Sequence, residues 1–170
     1  LIPYGHILYV ACMLSEIGKQ IEYYNHSRHT FFILTGLPLY GLSPVEKVMC
    51  ALVAAGIGKG AGKGIYAKFY GMLTKEQAMI ARQLATIKQV AETLLFYGFQ
   101  CAHMVYGQKK EKLSIGTVPQ ENGLVLPDVT RNVLQKRWRS SFGQKCQLVE
   151  EQRKEHNSYP GLQRITSNKE

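Results

Sequence analysis

Two short segments carry the side chains best suited to metal or phosphate chemistry. Ser15 and Glu16 follow an apolar run, and His26 and His29 come shortly after them. One carboxylate and two imidazoles are ordinary ligands of divalent ions, whereas a neutral serine hydroxyl binds such ions weakly. The residue types therefore leave open a divalent-metal site formed by Glu16, His26 and His29.

A glycine-rich stretch at residues 56–64 holds Lys59 and Lys63, and Lys68 follows it. Glycines allow the backbone to come close to an anion, so these lysines are candidates for binding phosphate. Neither loop lysine is followed by the Ser or Thr that a P-loop needs. Gly56, Gly58 and Ala61 match the dinucleotide-binding fingerprint, but that motif must follow a strand. A basic connector with no ligand is the alternative.

Composition indicates a globular protein with an anionic partner. The chain has 170 residues, of which 45% are hydrophobic and 19% charged, and its net charge is +9. A basic surface attracts polyanions, although a merely solvated basic surface is also consistent with this charge. No apolar run is long enough to span a membrane, so we expect no membrane association. The four cysteines form no CxxC pair and lie among apolar residues, which predicts buried free thiols and a cytoplasmic location.

The elements that would position these residues are mostly helices. Apolar spacing predicts a helix from Tyr4 to Ile21 and a short one from His29 to Thr35. Ser43-Pro44-Val45-Glu46 and Thr74-Lys75-Glu76-Gln77 are capping-box signals for the start of a helix. The second opens a long helix to about Tyr97, with an expected buried stripe of Ile80, Leu84, Ile87, Val90, Ala91 and Leu94. His6 and His103 lie on apolar faces and are expected to be packed.

The C-terminal part has a different pattern. Alternation over 112–118, an Asn-Gly turn and the apolar residues 124–126 predict a β-hairpin at 112–126. A helix that is capped by Asp128 and uses Trp138 and Cys146 should follow it. We expect one mainly α domain over residues 1–150 and a loose polar tail over 151–170.

The motifs resemble a known family. The residues that carry the likeness are Ala11-Cys12-Met13-Leu14-Ser15-Glu16-Ile17-Gly18, His26-Ser27-Arg28-His29-Thr30-Phe31-Phe32-Ile33-Leu34, Leu37, Gly41-Leu42-Ser43 and Glu46. This pattern resembles the C-terminal HD-like domain of the exopolyphosphatase and guanosine-pentaphosphate phosphohydrolase family, over roughly residues 5–150. Two departures stand out: Ser15 replaces the usual His, and the glycine-rich stretch replaces a Tyr-His-Arg-Arg-like segment.

The resemblance implies an HD-like helical bundle that is a fragment of a longer hydrolase. Catalytic actin-like domains would lie upstream and would use Mg²⁺ to cleave phosphoanhydride bonds. The fragment itself would have no catalytic residue, metal or cofactor. It would bind substrate, regulate the enzyme or form a homodimer. Polyphosphate or guanosine pentaphosphate would be its ligand, and the polyanion-binding residues would be Arg28, His29, Lys59, Lys63 and Lys68.

The resemblance also leaves open an active HD-type metal-dependent phosphohydrolase that would use Glu16, His26 and His29 with a divalent ion. Two further alternatives to a substrate-binding domain remain. A basic helical nucleic-acid-binding module is one, but only Trp138 is interleaved with the basic residues of the last helix, so we do not expect nucleic acid as a partner. A pure dimerisation domain is the other, with the aromatic stretch Phe96–Phe99 buried between chains.

Overall fold

The computed structural model describes residues 1–57, 64–107, 112–119 and 125–150, and within them the protein is mainly helical, as expected. The predicted tail at 151–170 lies outside the described residues. The elements are α1 (Gly5–Met13), α2 (His26–Gly36), α3 (Pro44–Ala54), α4 (Ala67–Tyr70), α5 (Lys75–Phe96), β1 (Phe99–Gly107), β2 (Lys112–Pro119), α6 (Asp128–Phe142) and β3 (Lys145–Glu150), with 3-10 turns at Ile2–Tyr4, Ile17–Gln20 and Gly64–Tyr66.

Both predicted capping boxes are present. The Ser43 hydroxyl accepts from the Glu46 N–H at 3.3 Å, and Glu46 Oε2 accepts from the Ser43 N–H at 2.8 Å. Thr74 and Gln77 exchange the same pair of bonds at the start of α5. Each box satisfies backbone donors that a helix start leaves without partners, which fixes where α3 and α5 begin.

Helices α1, α2, α3 and the first half of α5 enclose one hydrophobic core. Helix α3 is buried on nearly every side, from Val48 to Ala54. Because the segment before Gly56 is this helix, the strand that a dinucleotide fingerprint requires is absent there, and that interpretation is wrong. The largest fully buried side chains of this core are Ile7, Phe31, Leu34, Met49, Leu52 and Leu84.

A second core lies under the sheet and shares α5 with the first. Val90 and Leu94 of α5 pack with residues of β1, β2, α6 and β3. Trp138 is buried in this core and stacks on Phe142 with ring centroids 4.2 Å apart, which confirms it as a core residue. Helix α5 therefore fixes the sheet relative to the helical part.

The hairpin lies earlier in the chain than predicted. Strand β2 agrees with the prediction for 112–118, but its antiparallel partner is β1. Of the second strand predicted at 124–126, residue 124 lies outside the described part and the other two positions form no strand, so that prediction is wrong. Val125–Pro127 has no strand structure, although the Leu126 side chain is buried in the second core. Gly98 adopts φ of 74°, a left-handed conformation that suits glycine and turns the chain from α5 into β1.

The last helix is shorter than predicted. It ends at Phe142 because Gly143 takes the left-handed conformation with φ of 71°, a common helix C-terminus. Residues 145–150 then form β3, which pairs parallel to β2. Helix α6 is thus the crossover that a parallel pair requires. No helix in the described part of the chain is both long and apolar enough to cross a membrane.

Candidate functional site

The Ser15–Glu16 segment lies directly after α1, where the predicted helix to Ile21 breaks. Helix α1 stops at Met13, and the chain continues in a separate 3-10 turn from Ile17. The Gly18 N–H donates to Thr30 Oγ1 at 3.1 Å, and that hydroxyl donates to the Ser15 carbonyl at 3.1 Å. Thr30 is fully buried, so this pair of bonds fixes the motif against the start of α2.

The close packing at this point requires glycine. A Cβ on Gly18 would lie 2.1 Å from the His26 carbonyl oxygen and 2.5 Å from the Thr30 nitrogen. Both are backbone atoms, which cannot rotate away. The contact holds the residues before Gly18 at a set distance from the first turn of α2.

A cleft of about 860 Å³ opens beside this motif. Residues from α1–α2, α3, α5 and α6 line it, so it is built from distant parts of the chain. The lining residues are Ser15, Glu16, Lys19, Tyr23, His26, Ser27, Ala54, Ala55, Gly56, Lys88, Gln89, Glu92, Thr93, Leu95, Phe96 and Arg137. It is the best candidate for a functional site because two of the predicted metal-ligand residues, Glu16 and His26, lie in it.

Two lysines in the cleft already have carboxylate partners. Lys88 has a side chain only 5% exposed, and its Nζ lies 2.7 Å from Glu92 Oε1. Lys19 donates to Glu16, and this hydrogen bond lowers the pKa of the Glu16 carboxyl. Both carboxylates of the cleft are therefore used by lysines.

Arg137 differs from these lysines because its charge has no carboxylate partner among the described residues. Its Nη2 donates to the Gly56 carbonyl at 3.4 Å, and no ion pair between described residues includes it. Burial lowers the pKa of this guanidinium, since removing a cation from water disfavours its charged form. An anion in the cleft would give Arg137 the missing partner.

The three residues of the metal alternative do not meet at one point. Glu16 and His26 line the cleft, whereas His29 lies outside it and bonds to Glu22, with 3.2 Å between His29 Nε2 and Glu22 Oε2. Within the part of the chain that is described, no group of three or more His, Cys, Asp or Glu side chains is placed to hold a metal ion. The lysines and Arg137 around Glu16 would also repel a divalent cation.

The predicted polyanion-binding residues are not gathered in the cleft. Arg28 is exposed on the first turn of α2, and Lys68 is exposed on α4. Neither these two nor His29 lines the cleft, and Lys59 and Lys63 lie outside the described residues.

The cations that do line the cleft, Lys19, Lys88 and Arg137, were missed from sequence. A signal existed for one of them. Lys88 lies four residues after Leu84, on the buried face of α5, where a lysine needs a partner.

Two smaller predictions were wrong. His6 is exposed and lies 3.1 Å from Glu46 Oε1, so it is not packed in an apolar face. Cys12 is exposed, while Cys50 and Cys146 are buried free thiols, as predicted. The side chains of His103 and Cys101 lie outside the part described.

Comparison with known proteins adds no family assignment. No protein-family model matches the chain, and no curated protein matches it significantly. The function must therefore be argued from the cleft and its charges.

Proposed function

We propose that this chain is a ligand-binding domain of an exopolyphosphatase-like hydrolase, and that its cleft binds a phosphorylated anion. Arg137 carries the proposal, because it brings to the cleft a partly buried positive charge that has no ion-pair partner among the described residues. Lys19 and Lys88 are paired with Glu16 and Glu92, but each ammonium has further N–H groups that can donate. Phosphate oxygens bind such groups through charge-assisted hydrogen bonds. Chemistry on the phosphoanhydride bond, with Mg²⁺, belongs in this proposal to the actin-like domains of the parent protein, and the location is the cytoplasm.

Two features favour guanosine pentaphosphate over inorganic polyphosphate as the ligand. Tyr23 and Phe96 line the cleft and are 66% and 76% exposed. The Lys19 ammonium lies over the Tyr23 ring, 5.4 Å from its centroid, so the exposed Phe96 ring is the better platform for a base. Gln89 Oε1 is buried and has no hydrogen-bond donor within the described residues. A nucleoside carries N–H and O–H donors for such an acceptor, whereas a polyphosphate chain has none.

The test is a calorimetric titration of the full chain with guanosine pentaphosphate and with polyphosphate. Arg137→Gln should weaken binding about 10- to 100-fold, because a hydrogen bond to a charged group contributes about 1.5–3 kcal/mol. Phe96→Ala should weaken only nucleotide binding.

Arg28→Gln is the matched control, since it removes the same charge from an exposed position outside the cleft. If Arg28→Gln abolishes binding and Arg137→Gln does not, the ligand occupies the surface predicted from sequence and the cleft assignment fails. If neither ligand gives a measurable heat of binding with the wild-type chain, the proposed binding function is wrong.

Dimerisation is a second candidate, with a narrower surface than the sequence predicted. Phe99 is buried in the second core of its own chain, so the stretch Phe96–Phe99 is not wholly available to a partner. Leu95 and Phe96 are 65% and 76% exposed and would be the contact residues. Sedimentation of the wild type and of Leu95→Glu tests it: a dimer that persists in the variant excludes this surface.

A further inference from the structure

A second groove, of about 490 Å³, lies between α6 and β3. Its polar lining comes from one face of the helix and one face of the strand. The residues are Asn132, Gln135, Lys136, Arg139, Lys145 and Gln147. None of the described residues that line the groove carries a carboxylate, and none is aromatic.

Local geometry explains why these side chains meet. Positions 132, 135, 136 and 139 follow the three- and four-residue spacing of one helix face, while Leu134 and Trp138 point into the core. On β3, Lys145 and Gln147 are exposed and alternate with the buried Cys146 and Leu148. The core contacts of the two elements thus leave their polar faces side by side.

The groove has more unbalanced positive charge than the cleft. Lys136, Arg139 and Lys145 are all exposed, and none of them takes part in an ion pair between described residues. In the cleft, Lys19 and Lys88 are neutralised by Glu16 and Glu92. Within the described part of the chain, the groove therefore has three cations without an ion-pair partner and no acid in its lining, which favours a polyanion as its ligand.

The three carboxamides identify the kind of polyanion. Asn132, Gln135 and Gln147 each offer an acceptor oxygen as well as N–H donors. An inorganic phosphate chain supplies acceptors only, and DNA has no hydroxyl along its backbone. The 2′-hydroxyl of RNA both donates and accepts, and it allows a protein to distinguish RNA from DNA.

We propose that this groove binds the backbone of duplex RNA without sequence preference. The cations contact phosphates and the carboxamides contact 2′-hydroxyls. Among the described residues that line the groove, no aromatic side chain offers a stacking platform for the unpaired bases of a single strand, which favours the duplex. The helix face from Asn132 to Arg139 is about 10 Å long, enough for a few backbone contacts.

Fluorescence anisotropy with the full chain tests the proposal. A labelled RNA duplex should bind about tenfold more tightly than the DNA duplex of the same sequence. The triple variant Lys136→Gln/Arg139→Gln/Lys145→Gln should lower RNA affinity at least tenfold and reduce the slope of log affinity against log salt by about 2 to 3. All three positions are exposed, so the variant should retain the wild-type melting temperature.

Two further variants separate the contributions. Asn132→Ala/Gln135→Ala/Gln147→Ala keeps the charge, so it should remove the preference for RNA and leave DNA affinity unchanged. Arg28→Gln/Lys68→Gln/Lys75→Gln removes three exposed charges elsewhere and should change the salt slope by less than one. Arg137→Gln should leave RNA binding intact, which separates this proposal from the ligand of the cleft.

Three results would overturn the proposal. Equal binding of RNA and DNA by the wild type would show that the carboxamides do not recognise ribose. An unchanged salt slope in the cationic triple variant would place the polyanion elsewhere. Tighter binding of inorganic polyphosphate than of duplex RNA, lost in the same triple variant, would assign the groove to that anion instead.

Discussion

The contact between Gly18 and the first turn of α2 can be tested by adding one methyl group. In Gly18→Ala the new Cβ would lie 2.1 Å from the His26 carbonyl oxygen and 2.5 Å from the Thr30 nitrogen. Gly18 is not in the left-handed region, so alanine brings no backbone strain of its own and the cost comes from the clash.

The clash must be relieved by moving α2 away from the Ser15–Glu16 segment, because both opposing atoms belong to the backbone. Overpacking of this kind costs about 3 kcal/mol. For a chain of 170 residues that corresponds to a fall in melting temperature of about 6–12 °C. The same movement would weaken the hydrogen bond from the Gly18 N–H to Thr30 and widen the cleft.

Urea denaturation followed by circular dichroism measures the change in stability. The matched control is Gly5→Ala, since Gly5 begins α1 and a Cβ there meets nothing within 4 Å. Alanine is the better helix former, so the control should be neutral or gain up to about 1 kcal/mol. If Gly18→Ala unfolds at the same midpoint as Gly5→Ala, the packing of the motif on α2 is wrong.

Three further predictions concern single side chains. Thr30→Val should lower the free energy of unfolding by about 3 kcal/mol in the urea assay, because it leaves the buried Gly18 N–H and Ser15 C=O without partners. Thr30→Ser keeps the hydroxyl and should retain most of the stability. A hydrogen bond from the Ser43 backbone N–H lowers the pKa of the Glu46 carboxyl below its ordinary value of 4.5. The stabilising effect of Glu46 should therefore be present above about pH 4.5 and be lost as the pH falls through the lowered pKa. The stability difference between wild type and Glu46→Gln should therefore shrink between pH 7 and pH 3, and a constant difference would contradict this. In the native protein at pH 8, a thiol reagent should label the exposed Cys12 well before the buried Cys50, because burial raises the Cys50 pKa to about 11. Peptide mapping measures the labelling, and equal labelling of the two thiols would show that Cys50 is not buried.

Several elements could be predicted because their signals are local. Ser43 with Glu46 and Thr74 with Gln77 satisfy backbone donors within four residues, so α3 and α5 begin where the sequence indicated. The apolar stripe of α5 likewise predicted its buried face.

Strands β1 and β3 were not predicted, because each forms by pairing with β2 and not from a pattern in its own residues. Gly98 and Gly143, both in the left-handed conformation, mark the ends of α5 and α6 and were available as signals. Which strand β2 pairs with, however, depends on contacts between segments that are distant in sequence. The Asn-Gly turn at 122–123 favoured the wrong partner, and it lies outside the described residues.

The sequence alone determined the helical character of the chain, its basic charge and the Ser15–Glu16 motif, because all of these depend on residue types and short spacings. Tertiary structure decided which cations share a surface. Lys88 and Arg137 are 49 positions apart and line one cleft only because α5 and α6 pack together. Lys145 reaches the polar face of α6 because β3 pairs with β2, and long-range pairings of this kind leave no signature in local periodicity.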